Sequence, residues 1–347
     1  MARKKRINLA LQGGGAHGAF TWGVLDRLLE EPDIEIAAIS GTSAGALNGA
    51  ALKAGLLRGG SEGAKDSLDW FWEQVGAIRD DGLSDWMSSF FPSPAIVSRA
   101  IEYSLPYAAA DAMSRIWSPY SYGPLYQNPL ERIVDGFEFD KVCAVDGPRL
   151  YISATNVRTG KIRVFEEEEI NTKSILASAC LPTMFKAVEI EDPETGRCDA
   201  YWDGGYTGNP PLFPLFDPEL PDDIVIVNIN PLEREESPVT PQDILNRINE
   251  ISFNSSLFRE MRAISFVRRL IGQGLLKSGE MKDVLLHMIA DDELMRNLSV
   301  ATKLVPAPSV LAQLKSAGRT ACDTFLASHG DDINNRSTVD LEEMFGS

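Results

Sequence analysis

The chain has 347 residues, 44% of them hydrophobic and 24% charged, a globular composition that excludes intrinsic disorder. Its 33 Lys and Arg face 50 Asp and Glu, a formal net charge of −17, which argues against nucleic acid as a partner and against a generic electrostatic grip on anionic lipid. Four cysteines without CxxC spacing (Cys143, Cys180, Cys198, Cys322) and only three histidines predict no disulfide framework, no metal centre and no cofactor.

The basic start, MARKKR, is followed by too short an apolar run for a secretory leader, and Ile34 to Leu57 is broken by Glu35, Asn48 and Lys53. Neither leader nor membrane span is expected, so a cytoplasmic protein, at most peripheral to a membrane through transient apolar contact, is the expectation. Ile7 to Gln12 reads as a strand running into glycines. Phe20, Val24, Leu25 and Leu28 repeat at helical spacing, Ile34 to Ser40 is a second strand stopped by Gly41, and Ala44 to Leu56 is an Ala-rich helix. This βαβα start predicts an α/β fold with a mostly parallel sheet covered by helices on both faces.

Residues 60–130 read as a helical, aromatic insertion running from Trp70 through Trp86, Phe90 and Phe91 to Tyr122. It is either a layer packed on the sheet or an apolar lid over a site. Strands are expected at Arg149 to Asn156 and Lys161 to Phe165, then a helix at about Ser174 to Cys180. A hairpin follows, Val188 to Glu191 with Asp199 to Trp202 around a Pro193–Gly196 turn, and Ile224 to Asn230 is a buried strand. Thr240-Pro241-Gln242-Asp243 starts a helix, and another spans about Ser309 to Ser328. Glu166 to Glu169 reads as a solvated edge and the tail after Gly330 as polar and loose.

Three features carry chemistry. Gly13-Gly14-Gly15-Ala16-His17-Gly18 lies between the first strand and a helix. It satisfies G-x-G-x-x-G, yet the second strand ends without the acid a dinucleotide site needs. What remains is a row of backbone N–H groups at a helix N-terminus, suited to negative charge. Gly41-Thr42-Ser43-Ala44-Gly45 is a G-x-S-x-G with a strand before it and a helix after it, the context of a nucleophile elbow. Its glycines permit the close backbone approach and leave the Ser43 hydroxyl at a helix N-terminus.

Ser43 needs a base. A hydrolase triad would take Asp203 with His287 or His329. However, His287 sits in an apolar segment, His329 closes a surface helix, and His17 is structural in the loop. The better base is Asp203 itself, in Tyr201-Trp202-Asp203-Gly204-Gly205, where burial would raise its pKa and the two glycines fold the backbone around it.

The GGGAHG loop, the GTSAG elbow and the downstream DGG, in that order, together with Ala177-Ser178-Ala179-Cys180-Leu181-Pro182, resemble the patatin-like phospholipase family. The resemblance implies a three-layer α/β/α fold with a central, mostly parallel sheet. It also implies a Ser–Asp dyad without histidine: Ser43 as nucleophile, Asp203 as base, and Gly13, Gly14 and Gly15, with the Ala44 N–H, as oxyanion hole. Gly18, Gly41, Gly45, Gly204 and Gly205 support these turns. One departure is His17, where the family often has Arg or Lys. Residues 7–215 are then the catalytic domain, with 60–130 inserted, 216–330 a strand and helices packed on it, and 331–347 the tail. The expected activity is hydrolysis of a lipid ester, phospholipase A- or lysophospholipase-like. The alternatives are a storage polyester or thioester as substrate, or a binding protein that keeps the fold. The oligomeric state is not readable.

Overall fold

A computed structural model describes residues 4–76, 92–192, 196–277 and 279–345. Eight strands form one sheet: β1 (Lys5–Leu11), β2 (Ile34–Gly41), β3 (Arg149–Asn156), β4 (Ile162–Glu166), β5 (Val188–Glu191), β6 (Cys198–Asp203), β7 (Asp223–Val227) and β8 (Leu285–Ile289). Their order is β5-β6-β3-β2-β1-β7-β8, with β4 paired to β3. Pairings from β3 across to β8 are parallel, whereas β4 and β6 meet β3 antiparallel. The long helices are α1 (Gly18–Leu28), α2 (Ala44–Val75), α3 (Pro94–Glu102), α4 (Leu105–Ile116), α5 (Pro241–Gly272) and α6 (Pro308–His329).

Alternation along the central strands builds two cores, because successive side chains leave opposite faces of a strand. Ile7, Leu9 and Leu11 of β1, with Val225 and Val227 of β7, enter one core with α1, α2 and α6. Ala10, Ile224 and Ile226 point into the other, with Leu257, Met261 and Ile264 of α5. Helices thus cover both faces of a mostly parallel sheet, a three-layer α/β/α architecture.

The predicted strands recur with ends shifted by at most three residues. β8 was not expected: Leu285–Ile289 is a short apolar run with His287 at its centre, compatible with either period. α2 continues to Val75 beyond a break at Gly59–Gly60, where Gly60 has φ +63°. Trp72 of the aromatic insertion is core, stacked on Trp22 with centroids 6.0 Å apart, whereas Tyr103, Trp117 and Tyr120 are exposed. Trp86, Phe90 and Phe91, and most of the Pro193–Gly196 turn, lie outside the described residues. Glu166 to Glu168 are exposed. The segment after Gly330 is anchored rather than loose: Ile333 and Leu341 are buried, and the Thr338 N–H donates to the Leu286 carbonyl at 2.9 Å.

Candidate active site

β2 delivers Ser43 to a turn that only this sequence context allows. Ser43 has φ 54° and ψ −121°, a conformation that strains a residue with a Cβ by about 1–3 kcal/mol and persists only when its neighbours fix it. The fixing contacts are the Gly45 N–H to the Thr42 carbonyl at 2.8 Å and the Ser43 N–H to Ser178 Oγ at 2.9 Å. A Cβ on Gly45 would lie 2.1 Å from the Leu11 carbonyl oxygen, and one on Gly41 2.6 Å from the Gly45 oxygen, so both motif glycines are there for close approach. The Ser43 side chain does not cap α2. Its hydroxyl is left for chemistry in a field that favours an alkoxide.

β6 ends at Asp203, which is fully buried. Its Oδ1 accepts the Gly205 N–H at 2.8 Å, and Oδ2 has no hydrogen-bond partner among the described residues. Burial raises the carboxyl pKa to about 7, against the opposing pull of the Gly205 N–H and the neighbouring Ser43 hydroxyl. The Ser43 hydroxyl thus lies close enough to Asp203 to draw its pKa down, while Oδ2 stays without a hydrogen bond among the described residues. One segment holds both residues: Ser178 takes the Ser43 N–H, and the Cys180 carbonyl takes the Asp203 N–H at 2.8 Å. Gly204 packs on Ser153, where a Cβ would come 2.3 Å from the carbonyl oxygen.

The glycine loop leaves β1 beside the elbow. A Cβ on Gly13 would lie 2.7 Å from that of Ser43, and one on Gly18 2.7 Å from that of Ala44, which brings the N-termini of α1 and α2 together. The Gly13 N–H is already committed to Asn209 Oδ1 at 2.7 Å. Those of Gly14 and Gly15 make no hydrogen bond within the protein among the described residues. Gly15 has φ +57° and lies against the Lys303 carbonyl. Asn209, Gln12, Asn230 and Lys303 were not anticipated as loop supports. For Gln12 and Asn230 the only sequence signal is polarity at the ends of apolar strands; Asn209 lies in a loop and Lys303 in a short helix.

The three imidazoles are held elsewhere. His17 is buried, its Nε2 lies 2.8 Å from Thr302 Oγ1, and desolvation, then the Lys303 charge, holds its pKa well below the usual value. His287 Nε2 meets Asp223 Oδ1 at 2.9 Å, and His329 Nδ1 meets Asp332 at 3.0 Å. Among the described residues no cluster of His, Cys, Asp and Glu could hold a metal ion, and no helix is long and apolar enough to cross a membrane.

A strand–loop–helix with glycine N–H groups left open, a strained serine elbow and a buried carboxyl thus meet at one end of the sheet of an α/β protein. Residues 9–216 match the family model described as patatin-like phospholipase, and the chain belongs to that family of lipid hydrolases. Among solved structures it is similar to VipD from Legionella pneumophila, with 14% identity and a TM-score of 0.44 over 94% of this chain and 67% of VipD. It is also similar to full-length ExoU, solved with SpcU from the type III secretion system of Pseudomonas aeruginosa, with 14% identity and a TM-score of 0.33. That match covers 93% of this chain and 53% of ExoU, so the chain spans about half of the ExoU length. No curated protein matches the chain in sequence.

Proposed function

We propose that the chain is a serine acyl hydrolase of lipid esters, phospholipase A- or lysophospholipase-like, working through a Ser43–Asp203 dyad. Asp203 Oδ2 takes the hydroxyl proton as Ser43 Oγ attacks the ester carbonyl. The oxyanion accepts hydrogen bonds from the N–H groups of Gly14, Gly15 and Ala44. Gly13 shapes the loop, its own N–H being held by Asn209. Collapse of the tetrahedral adduct expels the alcohol, which takes the proton back from Asp203. A water deprotonated by Asp203 then attacks the acyl-serine, and the departing Ser43 oxygen recovers the proton. Preorganised donors of this kind contribute about 3–4 kcal/mol each.

The observation that carries this reading is the buried Asp203 carboxylate beside Ser43, with one oxygen unbonded and its pKa raised to about 7. A base titrating near neutrality is matched to its task. Hydrolysis of short and long p-nitrophenyl esters by wild type, Ser43→Ala and Asp203→Asn tests it, each variant being expected to lose about a thousandfold or more. Activity kept in Asp203→Asn but lost on changing His287 would overturn the dyad. Product analysis over a lipid panel separates a membrane lipid from a polyester or thioester.

A further inference from the structure

The glycine loop is tied down by side-chain amides, and an amide turned over by 180° exchanges its donor and acceptor ends. Groups with a fixed role remove that ambiguity from both sides: the Gly13 carbonyl, which only accepts, and the Ile229 and Asn230 N–H groups, which only donate, on one side, and Lys303 on the other. The Lys303 ammonium can only donate, and it donates to Asn230 Oδ1 at 2.7 Å. Asn230 must then present Nδ2 on its other side, where it donates to the Gly13 carbonyl at 2.9 Å and to Gln12 Oε1 at 3.1 Å. Gln12 Oε1 also accepts the Ile229 and Asn230 N–H groups, so Gln12 Nε2 is turned to Asn254 Oδ1 at 3.2 Å. Gln12, Asn230 and Asn254 are all buried, so a reversed amide would set like ends against each other with no water to relieve them.

The Gly13 carbonyl and the Gly14 N–H are opposite edges of one peptide plane. Whatever holds the first aims the second. We infer that Lys303 is a positioning residue of the active site, anchoring Asn230 through a charge-assisted hydrogen bond and through it the direction of the Gly14 N–H. The inference rests on the reading of this loop as the oxyanion hole. Lys303, Asn230 and Asn254 all lie beyond residue 216, outside the stretch that carries the family match.

The charged groups around Lys303 make the device sensitive to pH. Glu250 lies near, but its carboxylate is held by Arg234 at 2.6 and 2.9 Å and by Arg247 at 3.2 Å. Desolvation lowers the Lys303 pKa to about 8, Glu250 opposing and Arg234 adding to the effect. On its other side stands His17, neutral near pH 7. Once Lys303 loses its proton, its hold on Asn230 Oδ1 drops from a charge-assisted hydrogen bond to a weaker neutral one, and the anchor loosens.

The test is steady-state hydrolysis of a p-nitrophenyl ester between about pH 6 and pH 10 by wild type, Lys303→Met, Lys303→Arg, Asn230→Asp and Ser43→Ala, with melting curves for each. Misaiming one donor by an ångström costs up to about 100-fold. Lys303→Met is therefore expected to lose about 10- to 100-fold in kcat, with KM within about twofold. Asn230→Asp keeps an acceptor for Lys303 but removes the shorter of the two amide donors to the Gly13 carbonyl, leaving only Asn209 Nδ2 at 3.4 Å, and should lose as much. Lys303→Arg should recover most of kcat and abolish the fall in activity above about pH 8, since a guanidinium does not deprotonate there. Wild-type kcat in Lys303→Met, or an unchanged alkaline fall in Lys303→Arg, would overturn the inference. So would a loss confined to KM, which would make Lys303 a ligand for a substrate anion. If Lys303→Met does not fold, Asn230→Asp decides, and wild-type kcat there is equally fatal. Activity retained in Ser43→Ala would instead bring down the reading of the site itself.

Discussion

Asp203→Asn is expected to inactivate the protein and stabilise it at once, by an amount that depends on pH. The folded protein holds the Asp203 carboxyl at about 7 against a reference of 3.8, because ionising it means charging a fully buried group. A raised carboxyl pKa means that the folded state binds the proton more tightly than the unfolded chain. Stability therefore falls as pH rises from about 4 to about 7 and is level above that. With about 1.4 kcal/mol for each tenfold change in proton affinity, the penalty is about 1 kcal/mol at pH 4.5 and about 4 kcal/mol at pH 8. Asn carries no charge at either pH, and its carbonyl can still accept the Gly205 N–H. The melting temperature of Asp203→Asn should thus exceed that of wild type by about 3–6 °C at pH 8, the gap shrinking to about 1 °C at pH 4.5. A wild type as stable as the variant at pH 8, or a gap that does not change with pH, would refute the claim that Asp203 is a desolvated base.

Because Asp203 must be ionised to accept a proton, kcat/KM should rise about tenfold per pH unit below 7 and level off between about pH 7 and pH 8, before the Lys303-dependent fall; a flat profile between about pH 5 and pH 8 would contradict this. Ser178→Ala leaves the buried Ser43 N–H without its acceptor, at a cost of about 1–3 kcal/mol in denaturant unfolding and with a fall in kcat as the elbow loosens. Gly45→Ala drives a Cβ to 2.1 Å from the Leu11 carbonyl, backbone against backbone, and should destabilise by about 3 kcal/mol or more, visible as a lost or much earlier melting transition.

What the sequence revealed and what it hid follow from how local each constraint is. The elbow was legible because Gly41 and Gly45 answer clashes with backbone only a few residues away or on the adjoining strand. Asp203 was legible from burial after Trp202 and from the two glycines that wrap its carboxylate. β1, β2 and β7 were legible because strands covered on both faces are continuous apolar runs. By contrast, the partners of the glycine loop are decided in three dimensions. Asn209 lies 196 residues from Gly13 and Lys303 73 residues from Asn230, and nothing near either residue in sequence announces the contact. β8 escaped because four apolar residues around His287 fit either period. The histidine came to rest on Asp223, a pairing created only when β7 and β8 lie side by side. The aromatic insertion divided along its length: Trp72 goes inward because α2 packs it on Trp22 of α1, while Tyr103 and Trp117 cap the C-termini of α3 and α4 and stay at the surface.

β1 lies between β2 and β7, and β7 begins at Asp223, past the point where the family match stops. A fragment trimmed to that match would keep the glycine loop, the elbow and Asp203. It would also strip one hydrogen-bonding flank from Leu9 to Leu11, a greasy stretch with no charge to discourage recruitment of foreign strands. Such a fragment should precipitate or self-associate instead of turning over substrate, and its silence in an assay would say nothing about the chemistry of Ser43.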